Sequence, residues 1–455
     1  MKDGGIKERV TNLKGFAVKK TLNGMVFALP MFSEDFLLAR AERYVSNLNY
    51  PEAQEFVRAL ILQVKRRFPR LHRNTRRGAV NFIVNALFYK EPLRDAFQEK
   101  NGFSPPILLV ISPTMRCNLA CEGCYAGMYE RKEDLPPEVF DRVLTEAEEM
   151  GIYFMVISGG EPLLYEPLMD TVTKHPDLTF MMYTNGTLID KKTAERIAEL
   201  GNLMPCISVE GYEEETDRRR GKGVYAKVNR AMDNLRDAGA LFGFSATATR
   251  FNNELLVSEE FIDHYIGKGC FIGWYFQYMP VGTEPSLELM TTPEQREYRR
   301  REVNRLRRDK QILLSDFWND GPLVGGCLSG GRSYLHINCR GDVEPCVFAH
   351  FSVDNIKRKP LKEVLNSPFF RAIRERQPFS DNLLRPCMII DHPHILRELV
   401  TAHAAFPTHP EAEGIITKLA DALDQYGAAY GAIADPVWER EYAPRRAASE
   451  GPTIA

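Results

Sequence analysis

A chain of 455 residues with a formal net charge of −2 carries no global field that would draw it to nucleic acid. Its 44% hydrophobic content is enough for more than one core, so two or three structural units are expected. No apolar run reaches the roughly 18 residues of a membrane span, and the opening MKDGGIKERV lacks an export signal's apolar core. Nine cysteines, an odd number, argue against a secreted disulfide framework and for reduced thiols serving metal or redox chemistry in the cytoplasm.

Residues 1–105 read as a helical, basic N-terminal region. PEAQEFVRALILQVKRRF repeats Phe56, Ala59, Leu60 and Val64 at helical spacing. The span Phe56–Tyr89 contains no acidic residue but holds Arg58, Lys65, Arg66, Arg67, Arg70, Arg73, Arg76 and Arg77. A solvated face, or one paired with acidic helices, is the first reading. Contact with an anionic lipid surface, making the chain peripheral to a membrane, is the second.

From residue 106 short apolar runs alternate with helical stretches. ILLVIS, YFMVIS, LTFMMYT, MPCISVE, FGFSATATR and WYFQYMP read as strands separated by amphipathic helices. Six β–α units in sequence imply an α/β fold, a curled and incomplete (β/α)6 TIM-like barrel over 106–285. No G-x-G-x-x-G follows the first strand; cysteines stand there instead. Residues 286–325 read as a helical connector built on the charged EQREYRRREVNRLRRDK. A small Cys- and Gly-rich C-terminal extension follows over 326–390. Residues 391–455 read as helices ending in a disordered polar tail, APRRAASEGPTIA.

SPTMRCNLACEGCYAG places Cys117, Cys121 and Cys124 just past the first strand, where parallel β–α folds bind ligands. Thiolates favour iron–sulfur clusters or zinc, and zinc wants four ligands. Three on one loop suit a four-iron cube with one iron left open, with a zinc site or chance clustering as the alternatives.

The C-x3-C-x2-C spacing, with Tyr125 beside the last cysteine, resembles the hallmark of the radical S-adenosylmethionine superfamily. The resemblance implies a [4Fe–4S] cluster on these thiols whose fourth iron is chelated by S-adenosylmethionine. SGGEPLL resembles the family's GGEP motif, which implies that Gly159, Gly160 and Glu161 meet the methionyl ammonium. YTNGTLI places Thr184 and Asn185 near the cofactor. ISVEGYEEETDRRRGKGVYAKV resembles a stretch in which Ser208 and Arg220 contact ribose and carboxylate, with Glu210 where Asp is usual and Thr216 where His is usual. QYMPVG resembles the sixth-strand end of the same subgroup.

The later cysteines resemble the SPASM or twitch extension of such enzymes, although its C-x2-C-x5-C-x3-C run is missing. The resemblance implies a second, auxiliary [4Fe–4S] cluster on Cys327, Cys339, Cys346 and Cys387, Cys339 being the one the family pattern does not require. Asp391, His392 and His394 lie near enough in sequence to substitute, while Cys206 and Cys270 read as buried, inert thiols. The implied activity is that of an oxidoreductase. S-adenosylmethionine is cleaved reductively to a 5′-deoxyadenosyl radical, which takes hydrogen from an unactivated C–H bond. The electron comes from a donor such as flavodoxin or ferredoxin. A peptide or protein side chain is the first substrate class and the alkyl chain of a membrane lipid the alternative. A non-catalytic cluster scaffold is a third reading, against which the GGEP motif speaks. No residue stands out as a catalytic acid or base.

Overall fold

The computed structural model describes residues 31–46, 50–85, 90–130 and 132–449, together with Gly24. The opening MKDGGIKERV and residues 450–455 of the polar tail lie outside them.

Six strands follow one another in the sheet: β1 (Leu108–Ile111), β2 (Phe154–Ile157), β3 (Thr179–Thr184), β4 (Leu203–Val209), β5 (Gly243–Ala248) and β6 (Ile272–Gln277). All are parallel. Their near-continuous apolar runs suit strands covered on both faces. Each crossover helix buries one stripe. In Pro137–Glu149 it is Phe140, Val143, Leu144 and Ala147, with proline at the helix start. Helix Lys191–Leu200 is capped by the Asp190 carboxylate, which accepts from the Thr193 N–H, and it ends at Gly201 in the left-handed region.

The sheet extends beyond these six strands at both ends. Beside β6 lies β7 (Leu313–Asp316), parallel to it, so residues 286–325 are more than a connector. The helix before β7, Pro293–Asp309, carries the charged run inward. Arg296 and Arg299 are fully buried in it. Arg296 pairs with Asp391 at 2.6 Å and lies 3.7 Å over the Tyr430 ring. Arg299 pairs with Asp316 at 2.9 Å and donates to Asn253 Oδ1 and Gln277 Oε1. The charge run is therefore a docking face for the barrel and for the C-terminal helix Ala420–Glu441. Ala443–Ser449 continues as helix rather than as a disordered tail.

At the other end β1 pairs in parallel with β8 (His336–Ile337), which turns back into β9 (Val343–Glu344). The strands β10 (Phe351–Ser352) and β11 (Phe406–Pro407) form a separate antiparallel pair. The Cys-rich extension is thus hydrogen-bonded onto the barrel's first strand. A buried polar hub locks the junction. The Glu344 carboxylate sits 2.5 Å from His336 Nδ1 and accepts from Tyr129 Oη at 2.6 Å, Asn338 Nδ2 at 3.1 Å and Thr408 Oγ1. His336 Nε2 in turn lies 2.8 Å from Ser112 Oγ on the barrel. Burial opposes the Glu344 charge, yet His336 and His350 hold its carboxyl well below the usual carboxylate range.

In the N-terminal region, Arg58 pairs with Glu42 and Glu55, and Arg66 with Glu34. Arg67 turns inward to the Gly269 carbonyl. Three of the eight cations are therefore engaged within the chain, and among the described residues no helix is long and apolar enough to cross a membrane.

Two outcomes are expected. Asp316→Ala leaves Arg299 charged in a dry site, so stability should fall by about 3–5 kcal/mol in urea unfolding followed by tryptophan fluorescence. His409, buried and beside His350, has its pKa depressed to about 4. The unfolded chain then binds its proton first, so stability is full above about pH 6.5 and falls as pH drops toward the folded value. His409→Gln should flatten that part of a pH series of melting curves.

Candidate active site

The loop after β1 carries the cysteine triplet and is held by the turn after β2. The Gly160 N–H donates to the Thr114 carbonyl at 3.0 Å and the Glu161 N–H to the Arg116 carbonyl at 2.8 Å. A Cβ at Gly160 would overlap the Arg116 and Met115 carbonyls, and Gly159 adopts φ +116° against Thr114. The two glycines thus let one backbone lie directly on the other.

A cavity of about 240 Å³ opens at this end of the barrel. Cys117, Cys121, Cys124, Tyr125, Gly159, Gly160, Thr184, Asn185, Ser208 and Arg220 all line it, as sequence reasoning expects. Asn185 Nδ2 reaches Cys117 Sγ at 3.8 Å, Tyr125 Oη lies 2.6 Å from Ser158 Oγ, and Ser208 Oγ lies 3.4 Å from Ser245 Oγ. Burial raises the Cys117 and Cys121 thiols, while Arg220 and Arg219 oppose the rise at Cys121. Among the described residues no three His, Cys, Asp or Glu side chains converge on a single-ion position. A cube places each thiolate on its own iron, and three thiols beside two guanidiniums suit such an anionic group.

Two residues expected at the cofactor lie off the cavity wall. Glu161 is fully buried and stands behind the cavity wall. Its carboxylate accepts three hydrogen bonds from within the chain: Oε1 from Thr184 Oγ1 at 2.8 Å and Leu163 N–H at 3.1 Å, and Oε2 from Asn185 N–H at 2.8 Å. Glu210 likewise stays off the wall. Its Oε1 takes Arg219 Nη1 at 2.6 Å and Arg220 Nη2 at 2.5 Å, so it aims Arg220 into the cavity. Its buried Oε2 has no partner among the described residues.

A second, smaller cavity of about 30 Å³ lies within the extension, lined by Cys327, Cys346 and Cys387. Cys339 is absent from it and packs instead with Met115, Ala126 and Tyr129 beside the cysteine loop. The reason is topological: Cys339 follows β8, which runs alongside β1 and so ends at that loop. Asp391 is committed to Arg296 and to the Cys387 N–H, His392 Nε2 lies 3.0 Å from the Arg385 carbonyl, and His394 is exposed. Cys206 and Cys270 are buried, and burial raises both thiols, Cys270 to about 12.

Sequence reasoning missed Arg219, Trp274, Phe276 and Tyr334, all on the main wall. For Trp274 and Phe276 the period-two pattern of β6 is a usable signal; Arg219 and Tyr334 have none.

Comparison with known proteins agrees with this geometry. The radical SAM superfamily profile matches residues 111–247, and that of the iron–sulfur cluster-binding SPASM domain matches residues 327–388. The mycofactocin maturase MftC of Mycobacterium tuberculosis (strain CDC 1551 / Oshkosh) is 30% identical over 304 residues, 62% of this chain and 75% of that protein. The Fe-coproporphyrin III synthase of Methanosarcina barkeri is 24% identical over 309 residues, 60% of this chain and 77% of that one. Streptococcus suis SuiB, solved bound to precursor peptide SuiA, shares the fold with a TM-score of 0.54 at 20% identity, covering 61% of this chain and 69% of SuiB.

Anaerobically reconstituted protein should hold about eight irons, and the Cys117→Ala/Cys121→Ala/Cys124→Ala variant about four, by iron assay. A variant with an unchanged iron load would remove the triplet from the site. Glu161→Gln sets an amide against the Asn185 N–H. It should cost about 1.5–3 kcal/mol in unfolding experiments and leave the iron content intact.

Proposed function

We propose, because this chain belongs to the radical S-adenosylmethionine superfamily and carries a SPASM-type extension, that it abstracts hydrogen from an apolar side chain of a peptide. The observation that carries this reading is the continuity of the main cavity. It runs from the three-cysteine loop, along barrel side chains such as Phe154, Met181, Trp274 and Phe276, to Tyr334 and Phe348 of the extension.

The superfamily's S-adenosylmethionine-binding iron–sulfur cluster, when bound with S-adenosylmethionine, would supply reductive cleavage to a 5′-deoxyadenosyl radical. The electron is taken from a small donor protein such as a flavodoxin or ferredoxin. The chain's own residues bind, orient and exclude water. Cys117, Cys121 and Cys124 hold the first cluster. Arg220, steered by Glu210, meets the methionyl carboxylate. Gly159 and Gly160 offer bare backbone to the ammonium, and Thr184, Asn185 and Ser208 flank the ribose. The aromatic and thioether wall keeps water from the reacting carbon. Among the described residues no carboxylate or imidazole lines the cavity, which suits transfer of a hydrogen atom rather than a proton.

A peptide substrate is supported by the 30% identical relative, a maturase by name. The lipid reading drew on the basic span, three of whose cations are engaged within the chain.

Under anaerobic reducing conditions the protein should cleave S-adenosylmethionine and remove two hydrogens' mass from a member of a peptide pool. Full iron content without any cleavage would return the scaffold reading. Arg220→Lys should weaken S-adenosylmethionine binding roughly ten- to hundredfold in equilibrium titration, since one ammonium replaces a guanidinium shared between Glu210 and the ligand.

A further inference from the structure

The two cavities share a wall. Phe317, Leu328 and Tyr334 line both the large cavity of the barrel and the small one around Cys327, Cys346 and Cys387. Only Tyr334 of the three carries a polar group, and its hydroxyl lies 3.0 Å from Cys346 Sγ. Its side chain is almost wholly buried, at 2% exposure. The other two sulfurs also have polar neighbours: Ser329 Oγ stands 3.0 Å from Cys327 Sγ, and the Ile389 N–H donates to Cys387 Sγ at 3.3 Å, while the Phe348 and Ala349 N–H groups approach Cys346 beside the phenol. A thiolate bound to iron has lost its proton and can only accept. Whichever atom carries the hydrogen between Tyr334 and Cys346 in the free thiol, the phenol must donate once the sulfur ligates.

We propose that Tyr334 is a positioning residue for the auxiliary cluster. Its phenol donates to the Cys346 thiolate while its ring forms part of the partition from the substrate cavity. A hydrogen bond to a ligating sulfur offsets negative charge and so favours the reduced cluster, raising its potential. A single aromatic ring thus touches the substrate's space on one face and one cluster ligand at its tip. This assignment rests on the reading that Cys327, Cys346 and Cys387 hold a cluster.

The test uses full-length protein with Cys117, Cys121 and Cys124 replaced by alanine, so that the auxiliary site alone gives a signal. This background should retain about four irons; if it holds none, the cluster reading fails. Adding Tyr334→Phe removes one oxygen and keeps the ring. The expected result is the same iron content with a midpoint potential shifted to a more negative value, read by electron paramagnetic resonance during a redox titration. Equal iron with an unchanged or more positive potential overturns the role of Tyr334 while leaving the cluster in place. Should Tyr334→Phe lose its iron, the background protein made with ring-deuterated tyrosine decides. Electron–nuclear double resonance should then detect deuterons coupled to the reduced cluster, and their absence overturns the assignment.

Discussion

The mouth of the barrel depends on how the chain satisfies one buried carboxylate. A charge as deeply buried as that of Glu161 is tolerable only when hydrogen-bond donors surround it, and three from the β2 and β3 ends do so. Meeting that demand fixes where Thr184 and Asn185 stand. The N–H groups of Gly160 and of Glu161 itself meanwhile hold the carbonyls of the cysteine loop. The thiols are presented by a loop that has no regular structure of its own yet is tied down from its neighbour. In the motif the Glu161 carboxylate gathers the strand ends and the two glycines let the cysteine loop lie against them.

Much of the architecture was legible because it is local. Alternation of apolar runs with amphipathic helices located all six barrel strands to within three residues at either end. The eight-residue cysteine cluster placed the site at the end of β1, and the residues named from the adjacent strand ends do line one cavity. What escaped depends on partners distant in sequence. The two-residue strands β8 and β9 have no periodicity to detect. Among the later cysteines, the family pattern set Cys339 apart without showing that the strand before it carries it to the cysteine loop, whereas Cys387 returns from far along the chain to join Cys327 and Cys346. The burial of the arginine-rich helix escaped for a related reason. Arg296 and Arg299 count as surface residues until Asp391 and Asp316 are known to meet them.

The extension is no independent module on a tether. Tyr129, on the cysteine loop, donates to Glu344 in β9, and Glu344 reaches through His336 to Ser112 at the end of β1. Displacing any member leaves a buried charge or imidazole without its partner. The geometry of the first cluster's loop and the seating of the second cluster's domain are accordingly set by one shared network.

That parallel pairing of β1 with β8 has a temporal side. Ser112 and His336, joined across it, are 224 residues apart in the chain. During synthesis the first barrel strand therefore emerges with an open flank, and its closing neighbour is made only after the rest of the barrel. Contacts of such long sequence separation form late and slowly, and an unpaired edge is an invitation to aggregate. Until β8 docks, the cysteine loop lacks one of its two walls. The nascent chain would hold its thiols in a half-built cradle, and order there should come last, at the moment when the extension closes the sheet.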